Sequence, residues 1–185
     1  NFGRVPFGPT DDVFATRSHS GPMTRTVRDA AMFLEAMAGH DPRDIFSLGE
    51  PVTGWLAACE GDLTGLRIAW SSDLGYAAVE PEIRAITTRA AKVFSDFGCK
   101  MEECDPPWTD PRDFHKVIYE VAVAARQRDR VAEHPEWIED TLMQMVENAT
   151  QVTAIEHASA LLARSQLLGE AQRFFSDFDL LLTPQ

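Results

Sequence analysis

Ser18-His19-Ser20 sets two hydroxyls beside an imidazole, the residue types of a nucleophile and its base. Adjacency along a chain is not catalytic geometry, because a triad is defined by how its members meet in space. A hydroxyl can also be activated by a lysine whose pKa burial has lowered. The chain contains three lysines, Lys92, Lys100 and Lys116. Lys92 falls on the polar side of a helical pattern, opposite Ile83, Ile86 and Phe94. Lys100 opens a strand beside Glu102 and Glu103, and Lys116 follows His115 at a helix edge. All three are expected to be solvated charges. No Gly/Ser-rich run occurs whose backbone N–H groups could form an oxyanion hole. No catalytic residue is therefore expected within this chain.

Metal and cofactor chemistry is equally poorly supplied. Glu156-His157 lacks the second histidine at helical spacing that a zinc protease needs, and the five histidines do not cluster. Cys99 and Cys104 read as the ends of one strand with side chains on opposite faces, which does not suit chelation. No glycine pattern follows a strand as a nucleotide cradle requires. The expectation is no metal and no cofactor.

The elements that position these residues are more legible. Gly21-Pro22-Met23-Thr24-Arg25 reads as a stiff loop entering a helix. Thr26 followed by Asp29 is a variant of the capping box, and Gly39 sits where helices commonly stop. Val27, Ala30, Ala31, Leu34 and Met37 form one apolar face with Ala38 beside it. After a turn-rich connection, a short helical piece is predicted near Val52 to Ala58. Leu66, Ile68 and Trp70 alternate with Arg67, Ala69 and Ser71 as a period-two strand. Glu80-Pro81-Glu82 starts a helix whose apolar face is Ile83, Ile86, Ala90, Val93, Phe94 and Phe97, ending at Gly98. A second strand runs from Cys99 to Cys104. This is a βαβ unit with a right-handed crossover. Residues 106–177 read as a helical layer, and Leu180-Leu181-Leu182 as a strand buried on both faces, as in a parallel sheet.

Gly3-Arg4-Val5-Pro6, then Gly21-Pro22-Met23-Thr24-Arg25-Thr26-Val27-Arg28-Asp29-Ala30-Ala31, then Ala38-Gly39-His40-Asp41-Pro42-Arg43-Asp44 together resemble the segment after the active-site signature of the amidase signature family of serine hydrolases. Asp62 to Ile68 and Asp177 to Pro184 match in pattern. Residues from about Asp105 to Ala171 match only in being helical. The resemblance implies an α/β fold, part of a mixed β-sheet with flanking helices, here truncated. It implies a single partial domain: an α/β portion at 1–105, a helical layer at 106–177 and a buried strand at 178–185. The family's chemistry uses a nucleophilic serine, a second serine on a cis peptide and a buried lysine. By the resemblance these lie upstream of Asn1. It implies hydrolysis of a small-molecule amide through an acyl-enzyme by the intact enzyme, with this piece inactive alone. The loop at Gly21, Pro22 and Met23 lies near the family's catalytic core, and Tyr119, with Glu120, falls where relatives place pocket-lining side chains. The A subunit of a glutamyl- or aspartyl-tRNA amidotransferase is a second reading within the family. It is disfavoured because Val121 to Asp129 lacks the Arg-Tyr-Gly-type motif. A non-catalytic binding or structural module is the rival from another class.

Composition limits the partners. Twenty-nine acids against 17 bases give a net charge of −12, which repels phosphate backbones, so this piece is not expected to bind nucleic acid directly. No apolar run approaches the roughly 20 residues that span a bilayer, so no membrane association is expected. Three cysteines without paired spacing suit a reducing, cytoplasmic setting. The opening residues do not read as an export leader, so export is not expected. Both ends read as cut, and sheet edges left open by truncation would recruit a second copy into a homo-oligomer.

Overall fold

Thr26 breaks an extended stretch and turns it into a helix. Its backbone is in the β region, and its side-chain oxygen accepts the Asp29 N–H at 3.1 Å. This satisfies one of the donors that a helix start leaves unpaired. The resulting helix, α1, spans Val27–Met37 and ends at an extended Ala38, after which Gly39 turns the chain at a φ of +147°. The computed structural model describes residues 2–7, 16, 18–50 and 53–185. They fall into two compact units, residues 1–62 and 63–185, whereas the sequence groups 1–105 as one portion.

In the first unit, α1 packs against α2 (Trp55–Ala58), and the Leu56 N–H donates to the Glu35 carboxylate at 3.1 Å. The start predicted at Val52 lies outside the described residues. The packed face of α1 is Ala30, Ala31, Leu34 and Ala38, while Val27 and Met37 of the predicted stripe are exposed, as are Met32 and Phe33. Small residues let the neighbouring backbone approach closely, and the larger side chains splay outward on either side. Asp44 is buried and staples the unit, accepting the Phe7 N–H at 2.8 Å and the Phe46 N–H at 2.9 Å. Gly3 accepts from Leu48 N–H at 2.9 Å, and with φ +71° a side chain there would collide with the Phe46 carbonyl.

The second unit is built around β1 (Arg67–Trp70), α3 (Pro81–Asp96) and β2 (Lys100–Glu103). Then come α4 (Arg112–Glu133), a 3₁₀ turn at Pro135–Trp137, α5 (Asp140–Thr150), α6 (Ala154–Asp177) and β3 (Leu180–Leu182). The three strands are all parallel in the order β2-β1-β3, with Ile68 opposite both Met101 and Leu180. The α/β class and the flanking helices are as expected. The part of the sheet present among the described residues is small and parallel. Helix α4 packs against both α5 and α6, which makes the helical layer.

Three predictions of burial are corrected. Strand β1 does not alternate: Ile68, Ala69 and Trp70 are all buried, because β1 is the middle strand. Strand β3 is not buried on both faces but lies at the edge of the sheet formed by the described residues, with Leu180 43% exposed. Helix α3 turns Ala91 and, less completely, Thr87, Thr88 and Phe94 inward, whereas Ile83, Ile86, Val93 and Phe97 are exposed. Its more apolar face has no cover among the described residues.

Candidate functional site

The loop leading into α1 and the outer face of that helix enclose a groove of about 490 Å³. Met23, Met32, Phe33 and Ala36 supply apolar walls, and Arg25 and Asp29 lie at the rim. Met23 is 99% exposed. Pro22 is half-buried. Gly21 is exposed with an ordinary φ, and a Cβ there would meet no atom within 4 Å. Its φ is one that any residue can adopt, so among the described residues nothing requires glycine there.

Tyr119 belongs to the second unit. It sits on α4, partly exposed, with its ring stacked on His115 at 6.0 Å. Its neighbour Glu120 points the other way and is 7% exposed, accepting from the Asn148 amide at 3.0 Å with the Lys116 ammonium 4.0 Å away. An acid becomes buried here because α4 is covered on two sides, so the face opposite Ile118 and Ala122 also meets a helix. No periodicity signals this, since the partner lies 28 residues away.

The other candidates disperse. His19 is exposed and its ring packs edge-on against Phe2 at 5.7 Å. Glu156 is absorbed in the capping box of α6, where Thr153 accepts the Glu156 N–H at 3.2 Å and donates its own N–H to the Glu156 carboxylate at 2.8 Å. The Thr153 N–H first, and then its hydroxyl at 2.8 Å, hold the Glu156 carboxyl below its ordinary range. Lys92, Lys100 and Lys116 are all exposed. Cys99 is buried and Cys104 half-buried just outside the two ends of β2. Burial, reinforced by Glu102 and Asp105, pushes the Cys104 thiol upward. Among the described residues no group of three or more His, Cys, Asp or Glu could hold a metal ion, and no helix is long and apolar enough to cross a membrane.

A built polar cluster stands at the carboxyl ends of the parallel strands. Ser71, the first residue beyond β1, is 1% exposed. Its N–H donates to the Leu182 carbonyl at 3.0 Å, and its hydroxyl donates to the Asp105 carboxylate at 2.6 Å while accepting the Leu74 N–H at 2.7 Å. One side chain thus ties the end of β1 to the turn that follows it and to the loop after β2. Leu74 has φ +59°, the only positive φ on a non-glycine among the described residues. That conformation costs an L-residue about 1–2 kcal/mol. Gly75 follows at φ +77° with the Asp105 side chain against it. The Asp73 carboxyl is held below its ordinary range first by the Gly75 N–H and then by Arg84, which bridges to it at 2.8 Å and to the Ser72 hydroxyl at 3.0 Å. The polar run Ser71-Ser72-Asp73 directly after a strand could have flagged a hydrogen-bonded turn. Its link to Asp105 could not be read from spacing.

Comparison with known proteins supplies a frame for these features. The family model described as Amidase matches residues 1–185. An acylamidase from Rhodococcus erythropolis is 30% identical over 177 residues, 92% of this chain and 36% of its own length. The A subunit of a glutamyl-tRNA(Gln) amidotransferase from Rhodospirillum rubrum is 44% identical over 90 residues, 49% of this chain and 18% of its own. The crystal structure of a bacterial aryl acylamidase of the amidase signature enzymes superposes with a TM-score of 0.82 at 27% identity, over 100% of this chain and 41% of that one. The chain therefore spans about two fifths or less of the length of the proteins it matches.

Proposed function

Because the chain belongs to the Amidase family, we propose that it is the supporting part of a longer enzyme that cleaves carboxylic amides through an acyl-enzyme. The nucleophile and its base come from sequence outside these residues. The observation that carries this reading is that the family model matches all 185 residues while 92% and 100% of the chain align with proteins of which it spans only 36% and 41%. The absence of any lysine shielded from solvent agrees with it, since a lysine base must be desolvated to act near neutral pH. The exposed stripe Ile83, Ile86, Val93 and Phe97 speaks against a self-sufficient binding module. The substrate of the longer enzyme is a small-molecule amide, and the free thiols of Cys59, Cys99 and Cys104 suit a cytoplasmic setting.

The test is to express the complete reading frame and residues 1–185 separately and measure amine or ammonia release from simple amides. Trapping with hydroxylamine then reports the acyl-enzyme. Turnover and hydroxamate are expected from the complete protein only. Turnover by residues 1–185 alone would overturn the proposal.

The tRNA amidotransferase reading is favoured by the higher identity of 44%, but that likeness covers 49% of the chain whereas the acylamidase match covers 92%. Amidase is therefore preferred. Ammonia transfer to a misacylated tRNA, with no hydrolysis of free amides, would reverse the preference.

A further inference from the structure

Helix α1 is apolar on two opposite faces. Ala30, Ala31 and Leu34 turn inward, while Met32, Phe33 and Ala36 project from the other side and are exposed. Arg28 and Glu35 occupy a strip between the two faces and already have partners, Glu60 and the Leu56 N–H. Asp29, on the outer side, stands in the first turn, where the helix dipole favours an acid. A surface helix carries one apolar stripe, and a helix that is apolar nearly all round is buried. Among the described residues only the inner face of α1 has its cover.

The outer face is the floor of the groove beside Met23, which is 99% exposed. All of the residues lining that groove are exposed, so it holds no buried polar group to fix the orientation of a small molecule, as ligand pockets do. Stable association with a separate protein takes about 20–30 residues a side, and this groove is lined by Met23 to Arg25, Asp29, Met32, Phe33 and Ala36. A segment of the same polypeptide needs less, because a tether raises its effective concentration to the order of mM. The proteins that align with 92% and 100% of this chain have such polypeptide to supply, since it spans only 36% and 41% of them.

We propose that the groove between Met23 and the outer face of α1 is an internal packing seat. Its occupant is an apolar segment of the same polypeptide from outside residues 1–185, with Met23 and Phe33 as the anchors. This rests on the reading above that these residues are part of a longer enzyme. It gives Met23 a part in assembling that enzyme's core and not in touching substrate.

The experiment uses the complete protein, with the photo-crosslinker p-benzoyl-phenylalanine placed at Phe33 and, separately, at Met23. Irradiation is expected to join each position to a peptide outside residues 1–185 of the same molecule, as mass spectrometry of mixed heavy and light protein would show. A crosslink to a second copy, or to another part of residues 1–185, overturns the proposal. Met23→Cys is the gentler variant should the crosslinker prevent folding or fail to react. Read at residue 23 by mass spectrometry, its thiol is expected to react with N-ethylmaleimide about tenfold or more slowly in the folded protein than in urea, because labelling waits for local opening. That protection is expected to survive dilution. A thiol as reactive in the folded protein as in urea, or one freed by dilution, overturns the proposal. Amide turnover is measured on the same parent protein, and its absence would remove the amidase reading while the crosslink and the thiol still decide this one.

Discussion

Strands β1 and β3 run side by side in one sheet, yet the more apolar of the two is the more exposed. Leu180-Leu181-Leu182 contains nothing but leucine, and Leu180 is 43% exposed. Arg67-Ile68-Ala69-Trp70 begins with a cation, and its Ile68 and Ala69 are 0% exposed. The difference is position. Strand β1 has β2 on one side and β3 on the other, whereas β3 pairs with β1 alone among the described residues. Helix α3 repeats the pattern, turning Ala91 inward and Ile83, Ile86 and Val93 outward. Apolar composition records where burial is intended, and the neighbours present determine where it occurs. Faces that are apolar and uncovered are those where a protein more than twice this length would carry its remaining structure, which supports the proposed membership of a longer enzyme.

The largest test of the contrast is a truncation at the centre of the sheet. Ile68→Ala is expected to cost about 2–5 kcal/mol, because a fully enclosed site cannot collapse around the missing atoms. Leu180→Ala should cost far less. Urea unfolding of residues 1–185 measures both, and similar losses would mean that the two strands are equally buried in solution. Next in size is Gly98→Ala. Gly98 turns α3 into β2 at φ +79°, with Thr64 3.2 Å from where a Cβ would stand, so β2 is expected to lose about 1 kcal/mol or more of support. The β1–β2 side of the sheet should then loosen while the β1–β3 side does not, which hydrogen exchange of the strand amides would show.

The β1–β3 side is closed by charge. Arg67 and Asp179 exchange bonds in both directions: the Asp179 N–H donates to the Arg67 carbonyl at 2.8 Å, and the Asp179 carboxylate accepts the Arg67 N–H at 2.8 Å and its guanidinium at 2.9 Å. The guanidinium first, then the backbone N–H, hold the Asp179 carboxyl below its ordinary range. A depressed carboxyl contributes stability that is present above the unfolded value, about 3.9, and lost as pH falls through the folded one. Asp179→Asn should accordingly be less stable than the parent at neutral pH, with the gap closing below about pH 4. A gap that persists unchanged into acid would remove the pair from the account of how β3 is held.

Local signals made the element boundaries legible. Thr26 with Asp29, Pro81 after Glu80, and Gly98 place the ends of α1 and α3 through caps and turn residues a few positions apart. The burial of faces was not legible in the same way. Periodicity shows that Val27, Met37, Ile83 and Ile86 belong to apolar stripes, but not whether anything in this chain covers them. Among candidate site residues, Met23 is named through the resemblance alone, and its neighbours in the groove, Met32 and Phe33, lie outside the apolar stripe read for α1. The Ser71–Asp105 bond spans 34 residues and the Glu120–Asn148 bond 28. Each depends on two elements meeting that only the fold brings together, and a serine or a glutamate carries no mark of it beforehand.

The smallest effect is the most discriminating between the chain alone and a longer protein. In residues 1–185, Leu180→Thr should change stability by no more than about 0.5 kcal/mol, as expected of an exposed position; threonine is also a good strand residue. If further sequence covers the outer side of β3, Leu180 there gives up most of its exposed apolar surface, and the same substitution should cost roughly 1–3 kcal/mol. Melting curves of the pair of variants in both contexts decide the matter. A small effect in both would make β3 a true margin of the sheet, and the uncovered leucines would then be a property of this strand instead of a sign of missing neighbours.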